Sequence, residues 1–417
     1  MLMTIRQRFL LSLQYRDYRV LWTATVCAGA AAWALIVARG WLAFTITDSS
    51  LWAGLVTFVA MAPRFFATPV IGFLADRFDR QTLLCWTYAL NLSHNVALAA
   101  LAMLGLADPW VLVALSLING TLRAAEQTVT QSLLPNLIPK DHLLNAVALN
   151  QATQQGSRLV GPLAIAPLLA FLNVEAAFWL CSAFYAVGLV QVLRVNTRSR
   201  GIIDRRRSLS RNLVAGFEYV YQQPMVLAMV LLAVAHCSLT MSFESMLPAL
   251  SAEKLGGGSA GVSYLMSAVG AGALTSAILL AGVRNRATRG RLFFILGIAS
   301  GLTPIMVGFS AQTEVSLAAA AAMGASEAGF MTITHAIIQS IVPDEIRGRV
   351  SGIYSMHVGG TMALANLTNG TMSDVFNAPM VIMVGGGVFT IIMFLSLAHS
   401  FLRSIYFPCV AETARAA

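Results

Sequence analysis

Charge is what this chain has least of. Its 417 residues include 27 Lys or Arg and 18 Asp or Glu, 11% in all, where a soluble domain carries about 25%. Cysteine is sparse as well. Cys27, Cys85, Cys181, Cys237 and Cys409 are odd in number and form no C-x-x-C pair, so neither a disulfide framework nor a thiolate metal site is indicated. The 6 His are scattered over separate segments, which leaves a clustered metal centre or a hydrolytic Ser/His/Asp set without its residues. No G-x-x-x-x-G-K-[S/T] loop occurs, so direct nucleotide hydrolysis has no motif. No cofactor or metal is expected. What is present is apolar: 57% of residues are hydrophobic and the mean hydropathy is +0.73. At about 20 residues per crossing, that content suffices for about a dozen membrane helices. A soluble enzyme, a disordered chain and a fibrous one are all excluded.

The apolar runs fall at 20–46, 51–75, 83–104, 110–135, 143–170, 174–193, 225–250, 259–282, 292–311, 313–340, 345–371 and 379–402. Helices satisfy their own backbone in lipid, and the short alternating strands of a membrane barrel are missing. The fold class is therefore an all-α polytopic membrane protein with twelve transmembrane helices. Residues 1–194 form a first six-helix half and 225–417 a second. Between them, 195–224 is a basic linker, in which Leu209, Leu213, Phe217 and Val220 recur at helical spacing opposite Arg211 and Glu218. That pattern predicts an amphipathic helix lying on the membrane surface.

With the N-terminus placed in the cytoplasm, 22 of the 27 Lys and Arg fall in cytoplasmic segments. Only Lys254 falls in an opposite loop, and Arg39, Arg64, Arg123 and Arg158 fall inside spans. This asymmetry is a topology signal that puts both termini on the cytoplasmic side of the membrane. The net charge of +9 is then read as an attraction to anionic lipid headgroups, and not to nucleic acid. The halves also echo each other. The stretch IPKDHLLNAVALNQ (138–151) returns as VPDEIRGRVSGIYS (342–355), and GFLADRFDRQ between spans 2 and 3 corresponds in position to GVRNRATRGR between spans 8 and 9. Two pseudo-symmetric halves around a basic linker describe a transporter, with its substrate path between them.

The residues Gly72, Leu74, Ala75, Asp76, Arg77, Phe78, Asp79 and Arg80 resemble the G-x-L-A-D-R-x-x-R signature of the major facilitator superfamily. GWLAFTITDSS, NGTLRAAEQ and PDEIRGRVSGIYS are similar to its branch of macrolide-efflux proteins and enterobactin-type siderophore exporters. The resemblance covers essentially the whole chain. It implies a conformational latch of Gly72, Asp76, Arg77 and Arg80, with Asp76 near the N-terminus of span 11, where a carboxylate is favoured. Gln81 stands where a basic residue is usual, and Asp79 where glycine is common. The resemblance also implies a proton-coupling role for Arg123 and a helix-5 hinge or seal at Gly156, Gly161 and Pro162, although only the Gly-Pro of the exporter motif survives.

Ionisable groups inside spans are functional candidates. Arg123 and Glu126 share one face of span 4. Glu327 lies mid-way along span 10, and Glu244 follows His236 and Thr240 at four-residue steps in span 7. Protonation relieves the cost of burying a carboxylate, so Glu126, Glu327 and Glu244 are the proton-carrying candidates. Gln151, Gln154, Gln155 and Arg158 form one polar face of span 5 and should line the substrate cavity, together with Arg39, Thr240 and His335. Four intramembrane Arg against three Glu suit an anionic or neutral substrate better than a dication.

The expected activity is proton-coupled export of an amphipathic small molecule, such as a siderophore or a macrolide-like drug, by a monomer working through alternating access. Lipid or lysolipid movement and a proton-independent facilitator are the alternatives within transport. A membrane-embedded lipid-modifying enzyme is the remote one.

Overall fold

The computed structural model describes residues 11–199, 217–256, 258–280, 283 and 285–407. Gly72, the side chains of Asp76 and Gln151, and the linker residues Leu209, Arg211 and Leu213 lie outside the described residues, so the Asp76 latch and most of the amphipathic linker helix are among the expectations left there.

Ten of the twelve spans are single helices: Arg16–Thr47, Arg80–Met103, Pro109–Leu133, Lys140–Phe171, Val174–Leu193, Ser259–Leu280, Arg286–Phe309, Thr313–Ile341, Asp344–Phe376 and Ala378–Leu395. Span 2 is broken into Ser50–Met61 and Pro63–Arg77. Span 7 is broken into Pro224–His236, a π turn Cys237–Met241, a 3-10 turn Glu244–Met246 and Leu247–Lys254. Among the described residues there is no strand. Spans 1, 6, 7, 8, 9 and 12 are long and apolar enough to cross a membrane by themselves, whereas the other six are diluted by polar side chains or interrupted.

The repeat is visible in how the helices begin. Pro139 and Pro343, 204 positions apart, precede spans 5 and 11 with φ/ψ of −57°/148° and −56°/147°. Asn173 and Asn377, at the same offset, cap spans 6 and 12 by accepting from the amides of Ala176 and Met380. Asp79 and Asn285 cap spans 3 and 9 in the same way. Each cap satisfies amides that a helix start leaves unpaired.

In the first half, span 1 packs on spans 5 and 6, span 2 on span 4, and span 3 on span 6. In the second, span 10 packs on spans 8 and 9, and span 9 on span 12. The crossing of spans 8 and 10 is reciprocal. Gly272 lies against the backbone of Ala321, and Gly324 against that of Val269, with no room for a Cβ at either. The halves meet along two seams, span 5 with span 8 and the first part of span 2 with span 11. Gly270 abuts the backbone of Arg158 and Leu159 in one seam, and Gly54 that of Asn366 in the other.

The two breaks have different causes. Pro63 has no N–H and cannot continue the ladder of span 2, and the Ala60 backbone just before it is pressed by Gly120 of span 4. In span 7 the chain leaves helical geometry at Ser242 (φ −93°, ψ 67°). Span 11 supplies the missing partners. Asn369 Nδ2 donates to the carbonyls of Ser238 (3.3 Å) and Ser242 (2.8 Å), and the Ser245 amide donates to Asn366 Oδ1 (3.1 Å). Irregular backbone at membrane depth is stable only when protein satisfies it in this way. The expected four-residue stripe of His236, Thr240 and Glu244 is therefore not a face, because the helix that would carry it unwinds between the second and the third.

Candidate functional site

Span 4 places Arg123 and Glu126 one turn apart, and their side chains meet: Arg123 Nη1 donates to Glu126 Oε1 at 2.5 Å. The other carboxylate oxygen accepts from Tyr185 Oη of span 6 at 3.2 Å. Glu126 is 3% exposed. Beside this pair, a small polar pocket of about 20 Å³ is walled by Thr25, Glu126, Gln127, Thr153, Gln154 and Ser157, among others, room for about one water molecule. Gln154 thus faces span 4, as the polar face of span 5 requires, and Gln155 is half-exposed.

One turn further along span 5, Arg158 is 2% exposed. Its guanidinium lies over the rings of Trp33 (5.1 Å) in span 1 and Phe243 (5.7 Å) in span 7, a cation held between aromatic faces contributed by both halves. Its Nε and Nη2 have no hydrogen-bond partner. Across the interface stand two carboxylates whose charge it feels, Glu244 and Glu327. Glu244 Oε2 accepts from Asn366 Nδ2 at 3.1 Å, while its Oε1 is unpartnered. Glu327 is fully buried, and neither of its oxygens has a partner.

Other expected cavity residues lie elsewhere. Thr240 bonds the His236 carbonyl (2.9 Å) and lines an apolar pocket of about 380 Å³ between spans 7, 11 and 12, with Met246, Met372, Phe376 and Met380. His236 is buried against Phe330 and Phe389. His335 packs on Tyr354, with Gln339 Nε2 at 2.6 Å from its Nε2. Arg39 is 3% exposed and donates to the Leu35 carbonyl and to Ser116 Oγ, each at 3.3 Å. Of the expected hinge residues, Gly161 packs span 5 against the Ala30 backbone of span 1, inside the first half, and a Cβ at Gly156 would meet nothing within 4 Å. Pro162 sits within a helix that continues to Phe171.

At the end of the bundle carrying the signature loop, Arg80 donates to the carbonyls of Ala75 (3.2 Å) and Ser132 (2.9 Å) and to Ser199 Oγ (3.2 Å). Arg77 is exposed. Asp79, in the place where glycine is common, has a structural task. It accepts from the Thr82 amide (2.9 Å) and hydroxyl (2.8 Å) and from the Ser199 amide (3.0 Å), tying the start of the linker to the loop. Burial alone would raise its carboxyl, but these bonds outweigh it and hold it below its ordinary value of 3.8.

At the opposite end, a carboxylate that sequence reasoning missed joins the halves. Asp374, in the last turn of span 11, accepts from Ser49 Oγ (2.5 Å) and from the amides of Ser50 (2.6 Å) and Leu51 (3.1 Å). It thereby caps the N-terminus of span 2 from the other half of the molecule, where an anion is favoured. The signal was present in span 11, whose Asn366, Asn369 and Ser373 recur at helical spacing beside it. Trp33, Phe243 and Tyr185 carried no such signal, since an aromatic in an apolar run reads as packing.

The family described as "Transmembrane secretion effector" matches residues 10–405. Among curated proteins, the chain is 21% identical over 349 residues to the Staphyloferrin A transporter of Staphylococcus aureus, covering 82% of this chain and 86% of that one. It is 24% identical over 332 residues to Macrolide efflux protein A of Streptococcus pyogenes (76% and 79%). To the Enterobactin exporter EntS of Escherichia coli it is 22% identical over 310 residues (74% of each). Among solved structures, the nucleoside transporter NupG superposes with a TM-score of 0.72 at 11% identity over 94% of this chain and 99% of that one. A bacterial homolog of the lysosomal transporter Spinster, in its inward-facing occupied conformation, gives 0.73 at 13% over 94% and 97%.

Proposed function

Since the chain belongs to the Transmembrane secretion effector family of major facilitator transporters, we propose that it exports an amphipathic small molecule across the bacterial inner membrane against an inward flow of protons. The observation that carries this reading is Glu327, a carboxylate mid-way along span 10 with no partner and no exposure, facing the cation of Arg158 at the junction of the halves. An ionised carboxylate without a partner there is strongly destabilising, and taking up a proton removes the penalty. Rocking the halves apart brings water and the opposite compartment to the same group, so loading and release of a proton follow the motion.

With the N-terminus in the cytoplasm, Asp374 lies on the outer side, and the seam it caps is the outer gate. Its three bonds are made between halves and are lost when that gate opens. Asp374→Ala is expected to raise the labelling of a cysteine placed at Thr57 by an impermeant thiol reagent applied from outside, in a background without native cysteines. Unchanged labelling would show that this cap does not hold the gate.

The test of the whole reading uses purified protein in liposomes with a pH-sensitive dye inside. Catecholate siderophores, macrolides and lysolipids are added in turn under an imposed proton gradient. Compound-dependent proton movement is the expected result, its sign giving the direction. Exchange of labelled compound without proton movement would make the protein a facilitator and overturn the coupling. The apolar pocket between spans 7, 11 and 12 favours a second reading, movement of a lysolipid whose chain enters there. Transport of lysolipid alone in the same assay would select it.

A further inference from the structure

The first half contains more positive charge than it neutralises. Arg39, Arg64 and Arg123 line one pocket, with Thr57 and Asn119 beside them and no carboxylate in its wall. The one carboxylate nearby, Glu126, is already engaged at both oxygens, by Arg123 and by Tyr185. Arg39 bonds only neutral oxygens. Arg64 makes no side-chain hydrogen bond among the described residues. It feels Arg123 as a like charge, and Glu126 and Glu244 as opposite ones. Arg123 keeps a buried Nε with no acceptor.

Buried donors and cations left this way are destabilising unless something accepts from them. Their position indicates what that is. Arg64, directly after Pro63 in span 2, is exposed on the wall of this pocket and feels the charge of Glu244 from the other half. The pocket itself has about 30 Å³ of open volume, a single water's share of the liquid. It therefore holds one small group of a ligand, not a whole molecule. Guanidinium forks select planar oxyanions, which accept two parallel N–H bonds.

We infer that this pocket seats a carboxylate or catecholate oxyanion carried by the transported compound, with Arg64 as the accessible fork and Arg39 and Arg123 as the fixed positive field behind it. The inference rests on the export reading and narrows it. The compound is an organic anion with an apolar body, and amine-bearing amphiphiles are excluded from this seat by like charge.

Equilibrium binding to the purified full-length protein in detergent, with no gradient, tests it. The probes are citrate, 2,3-dihydroxybenzoate and the amine-bearing macrolide erythromycin, with chloride and inorganic phosphate as controls. Wild-type protein is expected to bind at least one of the two organic anions in preference to the macrolide. Arg64→Gln should weaken that binding about tenfold or more, the scale of one charge-assisted hydrogen bond. Arg64→Lys, which keeps the charge and loses the fork, should recover part of it. If the Gln variant fails to fold, the wild-type preference and the Lys variant still decide. Preference for the macrolide, organic-anion binding indifferent to both variants, or occupation by chloride or phosphate alone would each overturn the inference. Because binding is read without transport, an anion that binds yet never moves protons in liposomes would leave the seat standing and refute the export reading instead.

Discussion

Replacing Glu327 by glutamine is expected to leave the protein folded and to flatten the pH dependence of its transport. Glutamine has the same shape, and Glu327 makes no hydrogen bond that the exchange could break. Loss of a titratable group from a fully buried position removes a destabilising element, so thermal stability should hold or rise. The transport step is different. Among the described groups that bear electrostatically on this carboxylate, Arg158 and Glu244 come from the facing spans 5 and 7, and neither stands mid-way along span 10. A side chain that transfers a proton contributes on the order of 100-fold to the step it serves, and proton-driven flux should fall by about that factor. Counterflow exchange of substrate, which needs no net proton movement, should survive. A profile between about pH 5 and 8 identical to that of the unaltered protein would remove Glu327 from the proton path.

Gly324→Leu is expected to prevent recovery of folded protein. Gly324 and Gly272 let spans 8 and 10 touch backbone to backbone, each against the other helix. Such approach is a main source of helix association in lipid, where there is no hydrophobic drive. Overpacking a tight contact costs about 1–3 kcal/mol locally, and here it also forces apart two helices that meet along their length. Gly387→Leu in span 12, where a Cβ meets nothing within 4 Å, is the matched control. Size-exclusion profiles after detergent extraction separate the two. Equal recovery would mean that the crossing yields more readily than its geometry indicates.

Much of the architecture was legible because lipid imposes it. A span must be long and apolar, its charges must sit on one side of the membrane, and a duplicated half repeats its punctuation. Pro139 with Pro343 and Asn173 with Asn377 show that punctuation carried through into matching caps. Arg123 with Glu126 was legible for a local reason, since three-residue spacing on a helix brings them together without help. The rest depended on partners distant in the chain. Nothing near Ser242 marks the unwinding of span 7; what permits it is the pair Asn366 and Asn369, more than 120 positions away. Thr240, expected in the substrate cavity, lines the apolar pocket between spans 7, 11 and 12. Asp374 looked like a loop acid at the end of a span, because its partners at Ser49, Ser50 and Leu51 belong to the other half. Arg64 carried the opposite ambiguity. The sequence placed it inside a span without assigning it a task, and the pocket it shares with Arg39 and Arg123 draws on three separate spans.

The contrast between the six spans that are long and apolar enough to cross a membrane and the six that, among the described residues, are more polar or interrupted also bears on how the protein is made. Arg64, Arg123, Arg158 and Glu327 all lie in helices of the second kind; Arg39 and Glu244 lie in the first. A helix with a charged centre partitions poorly from the translocation machinery into lipid when it arrives alone. Spans 2 to 5 emerge between the strongly apolar spans 1 and 6, and spans 10 and 11 between 9 and 12. The apolar members can act as stops that hold their neighbours at the exit until Arg and Glu find partners in the growing bundle. Synthesis then favours whole halves over single helices as the unit of insertion, and truncation within a half strands the very segments that bear the working charges.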